Sequence, residues 1–217
     1  MAAVIAGRHD RRNRNAEPLE PETVVAAALA MLDRDGLERF SMRRLASELG
    51  VSSMAAYYHF PSKASLLSEA YQLAFAERPI PAAGGPWLDE ALALAHWIRS
   101  GFLAHPVVVA LRTQVAWPTP ASVHAGERWL HVLSRAGFEG PRLAAAYHIA
   151  TATILGLAEQ EAAEATRPIS KDLDRAIEQA PRLKAVLPDL AGVDRRATFE
   201  QTLRVLFLGL LSTNRSD

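Results

Sequence analysis

The chain of 217 residues has no cysteine, which excludes disulfides and thiolate metal sites and fits a reducing compartment. Its formal net charge is zero, so bulk charge gives it no general affinity for nucleic acid. No apolar run reaches the roughly 18 residues that suggest a membrane span, and the N-terminus lacks a continuous hydrophobic signal segment. A cytoplasmic protein with no membrane partner is expected. Also missing are a phosphate-cradling glycine loop, a nucleophile elbow and a metalloprotease histidine pair. Nothing in the sequence therefore supports an enzyme. What remains is an ordinary globular composition, 49% hydrophobic and 22% charged, in a chain long enough for one or two domains with a substantial core.

Charge is unevenly spread along this neutral chain. Arg8, Arg11, Arg12 and Arg14 against Asp10 give residues 8–14 a net +3. Residues 17–38 are net −5, and residues 39–63, with Arg39, Arg43, Arg44 and Lys63 against Glu48, return to +3. Positive charge is thus confined to an N-terminal arm, residues 1–17, and to one short stretch, the pattern of a small footprint on phosphates. The arm mixes Arg, Asn and small residues without a period and is expected to be disordered. It reads equally well as a groove-reaching arm or as a solvated tail.

The stretch Phe40–Lys63 predicts two short helices around a tight turn. Leu45, Ala46 and Leu49 share one helical face from a start near Ser41. Gly50 stands where a helix stops in a left-handed residue, Val51 plugs the corner, and Ser52 is a good N-cap for a second helix to about Tyr58. Before it, Pro21 opens a helix with Val24, Ala27, Ala28, Met31 and Leu32 in a stripe, closed by Gly36. After it, a helix from Ser62 to Glu77 carries Leu66, Leu67, Ala70, Leu73 and Ala74. The reading is a helix-turn-helix, whose second helix lies in the major groove of DNA.

Arg43, Arg44, Leu45 and Ala46, then Leu49, Gly50 and Val51, then Tyr57, Tyr58, His59 and Phe60, then Lys63, Leu66 and Leu67 resemble the DNA-binding domain of the tetracycline-repressor (TetR) family. The resemblance implies an all-α fold, with an N-terminal three-helix DNA-binding domain over residues 18–78. A larger helical ligand-binding and dimerisation domain follows over residues 87–217. It also implies phosphate contacts by Tyr57 and Lys63, whose hydroxyl and ammonium suit phosphate oxygens, and a base contact by one of the two DNA-binding candidates Arg43 and Arg44, with Arg43 favoured by its family position. Ser41, Ser52, Ser53, Met54, Ala55, Tyr58 and His59 complete the candidate DNA face. His59 either touches phosphate or closes its helix. Ala55 and Ala56 depart from the family, where a threonine and a larger apolar residue are frequent, so methyl contacts and shape readout are expected rather than a rich polar code.

Pro79, Pro81, Gly84, Gly85 and Pro86 mark the clearest break in the chain. Beyond it, helices are expected over Trp87–His105, Pro106–Leu111, Ala121–Ala136, Pro141–Thr166 and Val193–Leu211. Between the last two lies a looser segment, 167–191, holding one helix near Lys171–Gln179. Three of the four tryptophans and five of the seven histidines fall between residues 96 and 148. His96, Trp97, Phe102, His105, Gln114, Trp117, His131, Tyr147, His148 and Thr151 are the candidate walls of an apolar cavity for a small aromatic effector. His124, Glu127 and His131 share a helical face but match no metal motif, so no metal or cofactor is expected. A helix-turn-helix protein reads a palindromic operator with two copies. Ala145, Ala152, Gly156 and Ala163, with Phe199, Leu203, Leu206, Phe207 and Leu210, are the candidate homodimer face. The alternatives are a DNA-binding architectural protein without an effector and, further off, a helical metal-dependent enzyme.

Overall fold

The computed structural model of the chain describes residues 19–76, 78–115, 118–166 and 172–214. Among the described residues the fold is all helix, with no strand. The basic arm, residues 1–17, and Trp117 lie outside the described residues.

Helix α1 (Pro21–Asp35) begins on a proline whose missing N–H costs nothing there, and it stops at Gly36, where φ is +78°. It buries Val24, Val25, Ala28, Leu29, Met31 and Leu32. A short 3₁₀ turn, Leu37–Arg39, leads to α2 (Met42–Glu48) and α3 (Ser53–His59). Both begin on serines: Ser41 Oγ accepts from the Arg44 N–H at 3.3 Å, and Ser52 Oγ accepts from the Ala55 N–H at 3.2 Å. Gly50, with φ +69°, makes the turn between them, a conformation that a side chain strongly disfavours. Helix α4 (Lys63–Ala76) packs against α1 on one side and against α5, α6 and α7 on the other.

The second part holds α5 (Trp87–Ala104), α6 (Val108–Leu111), α7 (Pro120–Arg135), α8 (Gly140–Thr166), α9 (Leu173–Glu178), α10 (Pro181–Ala191) and α11 (Arg195–Asn214). Helix α5 is the axis, packed against α4, α7, α8 and α11. One continuous apolar core runs from Val24 in α1 to Phe207 in α11. The looser segment anticipated near its end contains α10 as well. Pro188 inside that helix reads as a breaker, yet it falls in the last turn before Gly192, and Pro181 at the start is favourable.

The proline- and glycine-rich segment between α4 and α5 is tied down by a carboxylate. Glu90, buried in α5, accepts from the Gly84 and Gly85 N–H groups at 2.7 and 2.8 Å. It also meets the Arg135 guanidinium of α7 at 2.5 Å. Those backbone N–H groups, chiefly that of Gly84, and Arg135 hold the Glu90 pKa down to about 2. At the segment's N-terminal end, Trp97 Nε1 donates to the Arg78 carbonyl, and Arg78 donates to that of Ser100.

Candidate functional site

The outward side of α2 and α3 carries large side chains that the core does not use. Met54 is 78% exposed and Tyr58 86% exposed, a wasteful arrangement for a helix meant to face water. Tyr57 is exposed beside them, and His59 stacks edge-on against Tyr58 at 5.3 Å between centroids. Ser53 and Ala55 are half-buried, whereas Ala56 is fully buried and belongs to the core. Arg43 is exposed and has no hydrogen bond or ion pair among the described residues.

Its neighbour Arg44 is engaged, with Nη1 donating to the Arg39 carbonyl at 2.6 Å and Nη2 to Asp35 at 2.8 Å. Arg34 forks onto Glu48 at 2.8 and 3.0 Å and also holds Asp35. These bonds, Arg34's above all, lower the pKa values of Asp35 and Glu48. The cluster braces α1 against α2, so Arg44 is a strut of the reading head before it is a contact. Lys63 donates to the Phe40 carbonyl at 3.0 Å and lies over the Phe40 ring. An ammonium has three donors, so two remain for a phosphate.

A cavity of about 430 Å³ opens among α4, α5, α7 and α8, within the range of small-molecule sites. Five of the sequence candidates line it: Trp97, Phe102, Tyr147, His148 and Thr151. The others do not. His105 meets Asp33 of α1 at 2.7 Å, which makes it a tie between the two parts of the chain. His96 sits beside Phe199 and 3.5 Å from Glu200. Gln114 and His131 are exposed away from the cavity. Among the described residues no three His, Asp or Glu side chains converge as a metal site.

The sequence reading missed Tyr71 and Phe75, which reach the cavity from α4, together with Arg112, Ser122 and Trp129. The stripe read on α4 is Leu66, Leu67, Ala70, Leu73 and Ala74, and spacing within one helix does not show which space its other side chains bound. Burial pushes the Tyr71 phenol up to about 12, so it stays a neutral hydroxyl. Gly101 and Gly126 make room for the wall. A Cβ on Gly101 would lie 2.5 Å from the Phe75 ring, and one on Gly126 would lie 3.0 Å from the Tyr147 hydroxyl.

The candidate dimer residues divide by face. Phe199, Leu203 and Phe207 are buried inside the subunit, Phe207 against Trp87 and Trp129, and Leu206 and Leu210 pack partly onto the same core. The three buried residues serve their own chain, and Leu206 and Leu210 keep part of their surface exposed. Toward its C-terminal half α11 exposes Val205, Leu208 and Gly209, with Gln201, Thr202 and Arg204 exposed before them. On α8, Ala145, Ala152 and Gly156 are exposed along with Ile149, Ala163 is half-buried, and Ala152 also edges the cavity.

Known proteins share this arrangement. The profile of bacterial regulatory proteins of the tetR family matches residues 24–70, and that of the tetracyclin repressor-like C-terminal domain matches residues 80–213. An HTH-type transcriptional regulator of Saccharopolyspora erythraea is 27% identical over 95% of this chain and 90% of its own. The class A tetracycline repressor protein from transposon 1721 of Escherichia coli is 30% identical over 88% of this chain and 90% of its own. The crystal structure of a possible TetR family regulator from Streptomyces coelicolor, 27% identical, superposes with a TM-score of 0.75 over 89% of this chain and 100% of its own. With both parts of the chain matched in order, and a free reading helix joined to a cavity-bearing helical body, the chain belongs to the tetracycline-repressor family of DNA-binding transcriptional regulators.

Proposed function

We propose that this regulator is a repressor that holds a palindromic operator as a homodimer and releases it when a small, largely aromatic effector fills the cavity. The observation that carries the reading is the position of α4. The helix packs on α1 in the reading head, and its own Tyr71 and Phe75 form part of the cavity wall. Whatever fills the cavity presses on the helix that carries the head. The name of the Escherichia coli relative, a tetracycline repressor, supports an effector of several rings.

In each half-site Arg43 reads a base edge, Tyr57 and Lys63 grip phosphates, and Met54 and Ala55 supply apolar contact. The heads must stand roughly 34–36 Å apart to enter successive major grooves. An effector that prefers a wrongly spaced state by about 3 kcal/mol lowers operator affinity roughly 150-fold. The outward faces of α8 and α11, adjacent in the fold, supply the dimer surface.

Selecting duplexes from a random pool with the purified protein tests this. Two inverted half-sites about 10 base pairs apart are expected. Equal retention of all duplexes, with a steep loss in salt, would instead favour the architectural alternative.

A further inference from the structure

Resting on that regulatory reading, we infer that the effector is an aromatic acid, a planar ring system whose anionic oxygen is received by Arg112 in exchange for Glu159. Among the described residues Arg112 is the one Lys or Arg that lines the cavity, and no Asp or Glu lines it. The rest of the wall is mainly aromatic and aliphatic, so a buried anion has one charged partner and a buried cation has none.

Two further polar groups at the cavity lack an aligned partner. Arg112 Nε lies 2.8 Å from Glu159 Oε1 of α8, yet that buried oxygen accepts no hydrogen bond among the described residues. The pair is held by charge and not by an aligned N–H, so a ligand oxygen that meets the Arg112 N–H groups directly makes hydrogen bonds that Glu159 does not receive, and these offset the cost of parting the pair. Trp129 is 1% exposed, lines the cavity, and its indole N–H has no acceptor among the described residues. A buried donor left unmet is a standing cost that a ligand oxygen removes.

The exchange also reaches the reading head. Arg112 directly follows α6, which packs against both α4 and α8. Drawing its guanidinium from Glu159 toward a ligand loosens α6 from α8 while α6 still bears on α4.

The test uses three probes on the full chain: anthraquinone-2-carboxylate, its methyl ester, and the matching aminomethyl compound. Binding is followed through the fluorescence of Trp97 and Trp129, and release through the duplex selected above. The carboxylate is expected to bind at least tenfold more tightly than the ester, with the amine weakest. Arg112→Gln should erase the difference between carboxylate and ester. Glu159→Gln should increase the preference for the carboxylate, an outcome that a purely structural pair would not give, since losing a brace weakens both probes alike. Equal binding of carboxylate and ester by the unaltered protein, tightest binding by the amine, or binding of none of the three overturns the inference. Each preparation is first checked for duplex binding without any probe. Failure at that step counts against the regulator reading and leaves the chemistry of the cavity to be judged by fluorescence alone.

Discussion

At the residue scale, two adjacent arginines have been given different work. Arg44 is held by Asp35 and the Arg39 carbonyl, while Arg43 stands free on the face beside the reading helix. Arg43→Ala is therefore expected to relax preference at one base pair per half-site, a loss of about 1–3 kcal/mol in discrimination. Tyr57→Phe should weaken binding to every sequence about equally. Repeating the duplex selection with each variant checks both, and an unchanged motif for Arg43→Ala would show a merely solvated side chain. Arg44→Ala is expected to lower folding stability, because it opens the brace between α1 and α2. Ser41, Gly50 and Ser52 were legible in the sequence because a cap or a left-handed turn is decided within three or four residues. The role of Arg44 was not, since its partner Asp35 sits on another helix and the spacing within α2 says nothing about it.

At the scale of elements, the contacts between helices set how far the body can move the head. Gly101 of α5 lets the Phe75 ring of α4 lie against the backbone. Gly101→Ala gains about 1 kcal/mol of helix propensity, but overpacking costs about 1–3 kcal/mol, and a buried ring yields less than a flexible tip. A net fall in Tm of a few degrees is expected, restored in part by Phe75→Leu in the same chain. A rise in Tm for Gly101→Ala alone would contradict the packing. The segment between α4 and α5 depends on Glu90, whose pKa falls from 4.5 to about 2 in the folded chain. A carboxylate depressed by folding stabilises fully above its unfolded value and loses that effect as pH falls through the folded one. Stability should therefore decline between pH 4.5 and about 2 in part through this group. Glu90→Gln should flatten that decline, as urea unfolding at stepped pH would measure. The break at residues 79–86 was plain from its prolines and glycines. That the carboxylate clasping it comes from α5, and the arginine from α7, follows only from packing.

For the whole molecule, the question is which surface joins two copies. Hydrophobic spacing located α11 as a helix with more apolar surface than one face needs, but spacing alone does not say which stripe turns inward. The subunit's own core claims Phe199 and Phe207, which meet the rings of His96, Trp87 and Trp129, and it buries Leu203 fully as well. That leaves Val205, 66% exposed, and Leu208, 55% exposed, on a helix that packs against α8. Small side chains such as Ala145, Ala152 and Gly156 let a second helix approach closely, and large ones on the neighbouring helix supply the area buried. A charge at Leu203 would unfold the chain and report nothing about assembly, since Leu203→Ala alone should cost about 2–5 kcal/mol. A charge at Leu208 is different, because the side chain already meets water in the single subunit. Leu208→Asp should leave the helical spectrum intact while shifting the protein to monomer in sedimentation equilibrium. Because two linked heads share one operator, duplex affinity should then fall by at least two orders of magnitude while a single half-site is bound as before. An intact dimer for Leu208→Asp would move the interface away from α8 and α11 and leave the spacing of the two heads to be set by another pair of helices.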